Sequence, residues 1–376
     1  MQDLRILYVT FDSIVEGVGA SQVKALVKRL RKRQEHLTLI SFEKHSPSQF
    51  LIEEMKIAGI CWLPMKFGRS GLIGSLFRML KLYSKIWSLS RFDVIHARSE
   101  LATFAALTTP GRTPVIWDMR SLWSDQKYII DGKRSRVVTF CLRKIENICA
   151  SRAAGLNTLT AACIPVLLSR NSKLPNHRTI IPTSVDTERF KNDLGGLSPI
   201  KCLLSGTLND FYNLDLIDQF ITIAKLDFQI DTIWARPTET NQTFEFRNLT
   251  SSTQVSFEEM PGFMSKFGFG LILCNLTNDT ALKASSPTKA AEFLSMGMPI
   301  IVSSSIGDLS ELVVEKHIGL ILDSENQINS VINKLLELLG DPKLSERCRN
   351  AAIEIYSLEA AVDKYLELYS LVLSKR

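Results

Sequence analysis

The sequence predicts an α/β protein made of two doubly wound parallel sheets, one in each half. Three observations carry this. The chain has 376 residues, more than one hydrophobic core ordinarily serves and comfortable for two. Short apolar runs alternate with segments of helical period along the whole length, the pattern of parallel strands joined by crossover helices. The alternation breaks once, at the turn-rich "NHRTIIPTSVDTERFKNDLGGLSPIK" (176–201), and then restarts.

In the first half, "RILYVTF" (5–11) reads as a buried strand. "ASQVKALVKRLRKR" (20–33) follows as a helix with Val23, Leu26, Val27 and Leu30 on one face. "HLTLISF" (36–42) is the next strand and "SQFLIEEMKIAG" (48–59) a helix that stops at a glycine. "DVIHAR" (93–98) and "PVIWDM" (114–119) are strands, with an apolar helix over 100–108 between them. In the second half the expected strands are "KCLLSG" (201–206), "DTIWAR" (231–236), "STQVSF" (252–257), "FGLILC" (269–274), "PIIVSS" (299–304) and "GLILD" (319–323). The last helix, 358–373, is amphipathic. The expected division is an N-terminal domain over 1–175, a C-terminal domain over 176–357 with the turn-rich segment as its hinge, and a terminal helix over 358–376. Open parallel sheets bind ligands beyond the carboxyl ends of their strands. Two such Rossmann-like halves are therefore expected to face a cleft lined by the residues just after each strand.

Composition is globular, with 45% hydrophobic and 22% charged residues. No run approaches the length of a membrane span. "MQDLRILYVTF" reads as a strand rather than a leader, so the expected location is cytoplasmic. The seven cysteines show no C-x-x-C pair and no zinc-like spacing with the five histidines, so they read as free thiols and no metal site is expected. Charge is uneven. Residues 1–170 carry 26 Lys and Arg against 13 Asp and Glu, and the remainder 19 against 26. The first half thus meets something anionic: nucleic acid, anionic lipid or a phosphorylated substrate. Nucleic acid is set aside because aromatic residues are not interleaved with the basic ones. "GLIGSLFRMLKLYSKIWSLSR" (71–91) places Arg78, Lys81 and Lys85 on one helical face and Leu76, Leu80, Tyr83 and Trp87 on another. It is either a peripheral contact with an anionic membrane at its inner face or a basic surface helix packed on its own core.

Candidate site residues follow the strands. After the first comes "DSIVEGVGASQ", where Gly17 and Gly19 permit close backbone approach and Ser21 opens a helix, though a turn that only packs strand on helix reads the same way. His96, Arg98, Asp118 and Arg120 lie at the ends of two strands, where the cations make a positive wall. Arg120, Asp118 and His96 are the expected catalytic residues and Arg98 joins the phosphate or acceptor loop, though the histidine also reads as a structural hydrogen-bonder. After "KCLLSG", Gly206 again allows close approach, and Thr207, Asn209 and Tyr212 supply neutral hydrogen bonds. In "KASSPTKAAEFLSMG" the expected N-cap is Ser286 and the first helical residue Pro287. Free N–H groups, the Ser285 and Thr288 hydroxyls and the Lys289 ammonium at that tip suit a diphosphate. Glu292, nearly two turns further in, could accept from a vicinal diol such as ribose; the alternative is a solvated surface charge.

"SSPTKAAEFLSMGMPIIVSSSIGDLSELV" resembles the donor-binding signature of the family-4 retaining glycosyltransferases, whose two-Rossmann architecture is called GT-B. "IHARSELATFAAL" with "PVIWDMRSLWSDQ", "TIIPTSVDTERF" and "LLSGTLNDFYNLD" resemble segments of one branch, bacterial enzymes of surface-polysaccharide assembly. The resemblance spans nearly the whole chain in order. It implies a nucleotide-diphosphate sugar as donor substrate, held by the second domain, a glycan or lipid-linked acceptor held by the first, and no other cofactor. By position, Glu292 would bind ribose. Ser285, Ser286 and Lys289 would meet diphosphate and sugar, Gly17 and Gly19 the leaving phosphates. Arg120 stands where many relatives have a histidine near the transferring sugar. The chain departs from the family at Ala284, which stands for the first of two paired glutamates. Thr207 and Tyr212 stand for the usual Arg and Lys, and Thr183-Ser184 for Asn-Gly. With no D-x-D motif the expected transfer is metal-independent. The alternatives are a nucleotide-sugar 2-epimerase of the same architecture and a non-catalytic partner subunit.

Overall fold

A computed structural model describes residues 4–17, 19–34, 36–89, 91–126, 136–192, 201–237 and 245–374. The chain divides into two compact units, Met1–Pro182 with Leu358–Arg376, and Thr183–Ser357.

The first unit runs β1 (Arg5–Val9), α1 (Lys24–Arg33), β2 (His36–Glu43), α2 (Gln49–Ile57), β3 (Cys61–Lys66), α3 (Gly71–Ser88), β4 (Val94–Arg98), α4 (Glu100–Thr108), β5 (Val115–Asp118), α5 (Arg136–Arg152), β6 (Gly155–Thr158), α6 (Cys163–Arg170) and β7 (His177–Ile180). All seven strands are parallel, in the order β3-β2-β1-β4-β5-β6-β7. Strand residues alternate between two cores. Ile6 and Tyr8 join Val27 and Leu30 of α1 on one face. Leu7 and Val9 join Leu82 and Ile86 of α3 and Ala102 and Ala105 of α4 on the other. Burial on both faces is why the central strands read as unbroken apolar runs.

Three strands lay outside the sequence expectation, and each has a physical reason. β3 contains Pro64, which removes a ladder donor; it is tolerated because β3 is an edge. β7, "HRTI", is also an edge, half exposed and polar, and it lies inside the segment expected to be a hinge. Part of that segment, 193–200, falls outside the described residues. β6, "GLNT", is fully buried because Asn157 is satisfied there, donating to Asp118 at 2.7 Å and accepting from Ile181 N at 2.9 Å.

The second unit runs β8 (Lys201–Ser205), α7 (Leu214–Phe228), β9 (Asp231–Arg236), β10 (Ser251–Gln254), α8 (Met260–Met264), β11 (Phe269–Ile272), α9 (Asp279–Leu282), α10 (Thr288–Ser295), β12 (Ile300–Val302), α11 (Leu309–Glu315), β13 (Gly319–Ile321), α12 (Ile328–Leu339) and α13 (Leu344–Ala351). Its sheet is parallel, in the order β10-β9-β8-β11-β12-β13. Helix α10 lies tight on β11. A Cβ on Gly270 would stand 2.2 Å from Phe293 Cδ2, inside a fully buried ring.

The terminal helix α14 (Leu358–Leu373) belongs to the first unit. It buries Tyr365, Leu366 and Tyr369 in the core beneath β1 and α1, and ion pairs Arg29–Glu359 (3.2 Å) and Arg33–Asp363 (2.9 Å) fasten its outer side.

Gly270→Ala overpacks the α10–β11 contact. It is expected to cost about 1–3 kcal/mol, read as a lower midpoint in chemical denaturation.

Candidate functional site

In the second unit, candidate residues converge at the carboxyl ends of β8 and β11. The loop after β8 is laced to the end of β11: Asn213 N donates to Leu273 O (3.0 Å) and Asn275 N to Phe211 O (2.9 Å). Asn209 closes the turn by accepting from Phe211 N at 3.0 Å. This holds the Tyr212 ring under Lys289, whose Nζ stands 4.4 Å from the ring centroid. Gly206 has φ of +87°, which favours glycine, and its missing Cβ would lie 3.6 Å from the same Nζ. Thr207 and Asn209 are exposed.

Lys289 Nζ is buried and makes no hydrogen bond. Glu292, one turn on along α10, is half-buried and likewise has no hydrogen-bond or ion-pair partner among the described residues. Burial pushes its carboxyl up to about 7, against the opposing pull of Lys289 and Arg189. Arg189 is a residue that sequence reasoning missed. Its guanidinium stacks 3.8 Å over Phe257 and donates to Phe257 O at 2.7 Å.

The helix tip differs from expectation. α10 starts at Thr288 with Pro287 as N-cap, and no side chain caps it. Ser286 is not the cap because Thr183 engages it: Thr183 N donates to Ser286 Oγ at 3.1 Å and Thr183 Oγ1 to Ser286 O at 2.7 Å. Ser285 Oγ donates back to Ala281 O at 3.3 Å. The uncapped tip leaves backbone donors for an anion. Thr288 is half-buried on it. Ala284, where the resemblance has a glutamate, is buried and apolar.

In the first unit, His96, Arg98, Asp118 and Arg120 do gather at adjacent strand ends, but most are turned inward. Asp118 is fully buried. Its Oδ1 accepts from Asn157 (2.7 Å) and Tyr365 (3.1 Å) and lies 3.4 Å from Arg120. Its Oδ2 lies 3.3 Å from His96 Nε2 and 3.8 Å from Arg98. Burial alone would raise its pKa; Arg120, His96 and Arg98 outweigh that and hold it well below the carboxylate range. His96 is also fully buried, 2.5 Å from Tyr369 OH and packed on Tyr8 at 4.3 Å. Burial lowers its pKa despite Asp118, so the ring is neutral at pH 7. Sequence reasoning offered Asp118 and His96 as catalytic; fully buried side chains do not reach a substrate, and their geometry is that of positioning residues. Arg98 is buried too, paired with Asp12 at 2.7 Å. Of the four, Arg120 keeps solvent access.

The loop after β1 is built around Glu43, which accepts from Ser13 Oγ (2.5 Å), Ser41 Oγ (2.5 Å) and Ile14 N (3.2 Å). Gly17, at φ +60°, is exposed with open space where a Cβ would be. Gly19 is different. A Cβ there would meet Ser13 O at 1.9 Å, so its smallness serves its own loop. Ser21 lies in the π-helical turn Gly19–Val23 that leads into α1. Among the described residues no group of three or more His, Cys, Asp or Glu is placed to hold a metal ion. Five of the cysteines are buried, and Cys61 and Cys141 are exposed.

Residues 215–338 match the family described as Glucosyltransferase 3-like, C-terminal domain. No curated protein matches the sequence. Among solved structures, Anabaena Alr3699/HepE in complex with UDP-glucose is 12% identical with a TM-score of 0.69, covering 98% of this chain and 100% of its own. Sucrose-phosphate synthase from Thermosynechococcus elongatus is 12% identical at 0.72, covering 99% and 100%. An alpha-glucosyltransferase in complex with UDP-glucose and DNA containing an abasic site is 14% identical at 0.64, covering 98% and 100%. The chain therefore has the GT-B fold, as its two parallel-sheet domains of seven and six strands indicate. The third neighbour binds DNA, so the fold gives no support to the expected exclusion of nucleic acid.

The Glu292 carboxyl, raised to about 7 from an ordinary value near 4.5, stabilises the fold in its neutral form. That contribution is full below the ordinary value and is lost as pH rises through about 7. Glu292→Gln should therefore be more stable than the parent at pH 8, by roughly 1–3 kcal/mol given about 1.4 kcal/mol per pKa unit, and indistinguishable near pH 4. Thermal melts across that range check it.

Proposed function

We propose that this protein is a retaining, metal-independent glycosyltransferase. It moves a sugar from a nucleotide-diphosphate sugar to a glycan or lipid-linked acceptor, on the cytoplasmic side of a membrane, in cell-surface polysaccharide assembly. One observation carries the donor assignment: a buried ammonium, Lys289, that makes no hydrogen bond and a carboxyl, Glu292, without a hydrogen-bond or ion-pair partner among the described residues, on successive turns of a helix whose N-terminus is uncapped. A cation with free N–H groups is complementary to a diphosphate, and a carboxylate one turn deeper is complementary to the ribose diol. The glucosyltransferase-like match over 215–338 and the UDP-glucose bound by two fold neighbours support this reading.

In the reaction, the bond from the sugar C1 to the diphosphate oxygen breaks. A bond from C1 to an acceptor hydroxyl oxygen forms on the same face. The hydroxyl proton passes to the departing diphosphate. Charge grows on that leaving group, so donors already aimed at it lower the barrier, and losing one costs about 10²–10³ in rate. Lys289 and the first N–H groups of α10 have that role. Gly206 lets backbone come close to the phosphates, with Thr207, Asn209, Tyr212, Ser285, Ser286 and Thr288 bordering them. Arg120 is assigned the contact to the transferring sugar, and Asp118 holds its guanidinium in place.

A thermal-shift screen against sugar nucleotides, beginning with UDP-glucose, tests the donor site. The parent should shift. Lys289→Ala and Glu292→Ala should each lose at least tenfold in affinity, and an unchanged shift in Glu292→Ala refutes its ribose role. Donor binding should strengthen as pH rises through about 7, where Glu292 ionises. Turnover with acceptor should persist in excess chelator, and full loss there would overturn metal independence. Conversion of the sugar nucleotide without acceptor would point to the epimerase instead, and binding without any turnover to a non-catalytic subunit.

A further inference from the structure

Helix α3 is apolar on two opposite faces. Its inner face buries Leu82 and Ile86 in the core against β1 and β2. Its outer face leaves Ile73 (67%), Leu76 (53%), Phe77 (59%), Leu80 (56%) and Trp87 (65%) exposed. These positions recur at helical spacing and form one ridge along the helix. Singly exposed apolar residues need no explanation, but a ridge of this kind marks an interaction surface. The basic face expected from the sequence is not intact. Arg78 is buried, 3.9 Å over the Phe67 ring, and donates to Phe67 O, Arg69 O and Ser75 Oγ.

The remaining cations flank the ridge in two hollows. One, of about 610 Å³, opens between α3 and the edge strand β3 and is lined by Lys66, Lys81 and Lys85. The other, of about 770 Å³, lies at the C-terminal end of α3 and is lined by Arg91, Arg112 and Asp93 beside Trp87, with the Asp93 carboxylate engaged by Arg5 N at 2.8 Å. None of Lys66, Lys81 and Lys85 has an ion-pair partner among the described residues. The surrounding sequence is one-signed: no Asp or Glu occurs between Glu54 and Asp93, while Lys or Arg occurs at 56, 66, 69, 78, 81, 85 and 91.

From this we infer that α3 seats the first unit on an anionic lipid bilayer. The ridge enters the interfacial layer, and the two cationic hollows receive lipid phosphates on either side. An apolar stripe bordered by lysines, on a helix that carries no acidic residue, matches such an interface, where the long side chains can reach headgroups while their stems lie along the apolar surface. No described helix is long and apolar enough to cross a membrane, so the contact is peripheral. It is the membrane side of the acceptor reading proposed above and rests on it, while sharing no residue with the donor site.

Flotation of the full chain with vesicles tests this. The protein should float with phosphatidylglycerol-containing vesicles at low salt, float less at high salt, and stay behind with phosphatidylcholine alone. Lys81→Ala with Lys85→Ala should weaken binding roughly 25-fold, since a lysine near an anionic surface is worth about 1 kcal/mol, or fivefold. Leu76→Glu with Leu80→Glu, both at exposed positions, should abolish flotation. Leu226→Glu, equally exposed on the second unit, should not. Absence of flotation with anionic vesicles at low salt, or flotation unaffected by Leu76→Glu with Leu80→Glu, overturns the contact. So does a dimer in solution that this double variant makes monomeric, because the ridge is then a self-interface. The sugar-nucleotide thermal shift is read on the same samples. A retained shift with no flotation discards the membrane contact alone, and flotation with no shift discards the donor reading alone.

Discussion

Asp118 carries a charge with no solvent contact, and the first unit is arranged to answer it. Groups from β4, β6 and α14, and from the residues just after β5, surround its two oxygens. A lone buried carboxylate is costly and ordinarily neutralises; here the guanidiniums and hydrogen bonds outweigh burial, so it stays ionised. The arrangement cannot be dismantled piecemeal, because removing one partner leaves charge or a donor unsatisfied in the core.

That network explains why α14 is part of the first unit although 175 residues of the second unit separate it from β7 in sequence. Tyr365 and Tyr369 sit one turn apart, so a single helical face brings both hydroxyls to the strand ends, one on Asp118 and one on His96. Both phenols are held neutral by burial. Arg98 and Arg120 are then set by geometry: Arg98 pairs with Asp12 and Asp118, and Arg120 is held through Nη1 on Asp118 while staying partly exposed.

The second unit solves the opposite problem. Its tight element is the contact of Gly270 with Phe293, which presses α10 onto β11, and the laced loop 207–213, which holds Tyr212 under Lys289. These leave an ammonium and a carboxyl without a hydrogen bond to any described residue. Unsatisfied polar groups are rare in folded proteins, and burial of Glu292 pushes its carboxyl toward the neutral form. Around Asp118 the buried charges answer one another; on α10 the ammonium and the carboxyl make no hydrogen bond to any described residue.

The two parallel sheets are legible in the chain, because apolar runs at strand length and helices at a 3.6-residue period need only local chemistry. So are the position of Lys289 and Glu292 on one helix, and the one-signed stretch between Glu54 and Asp93. The misses have a common cause. β3, β6 and β7 are short or polar strands whose place depends on being an edge or on a distant partner, and no local periodicity reports either. Tertiary structure decided which candidates face inward. His96 and Asp118 carried the same sequence signal as Arg120, a polar residue at a strand end. Only the arrival of Tyr365 and Tyr369, some 250 residues later in the chain, turned two of them into core. In the same way Thr183, more than 100 residues before Ser286, took the hydroxyl that local rules had given to the helix cap. Periodicity is a property of neighbours in the chain, whereas hydrogen-bond satisfaction is a property of neighbours in space.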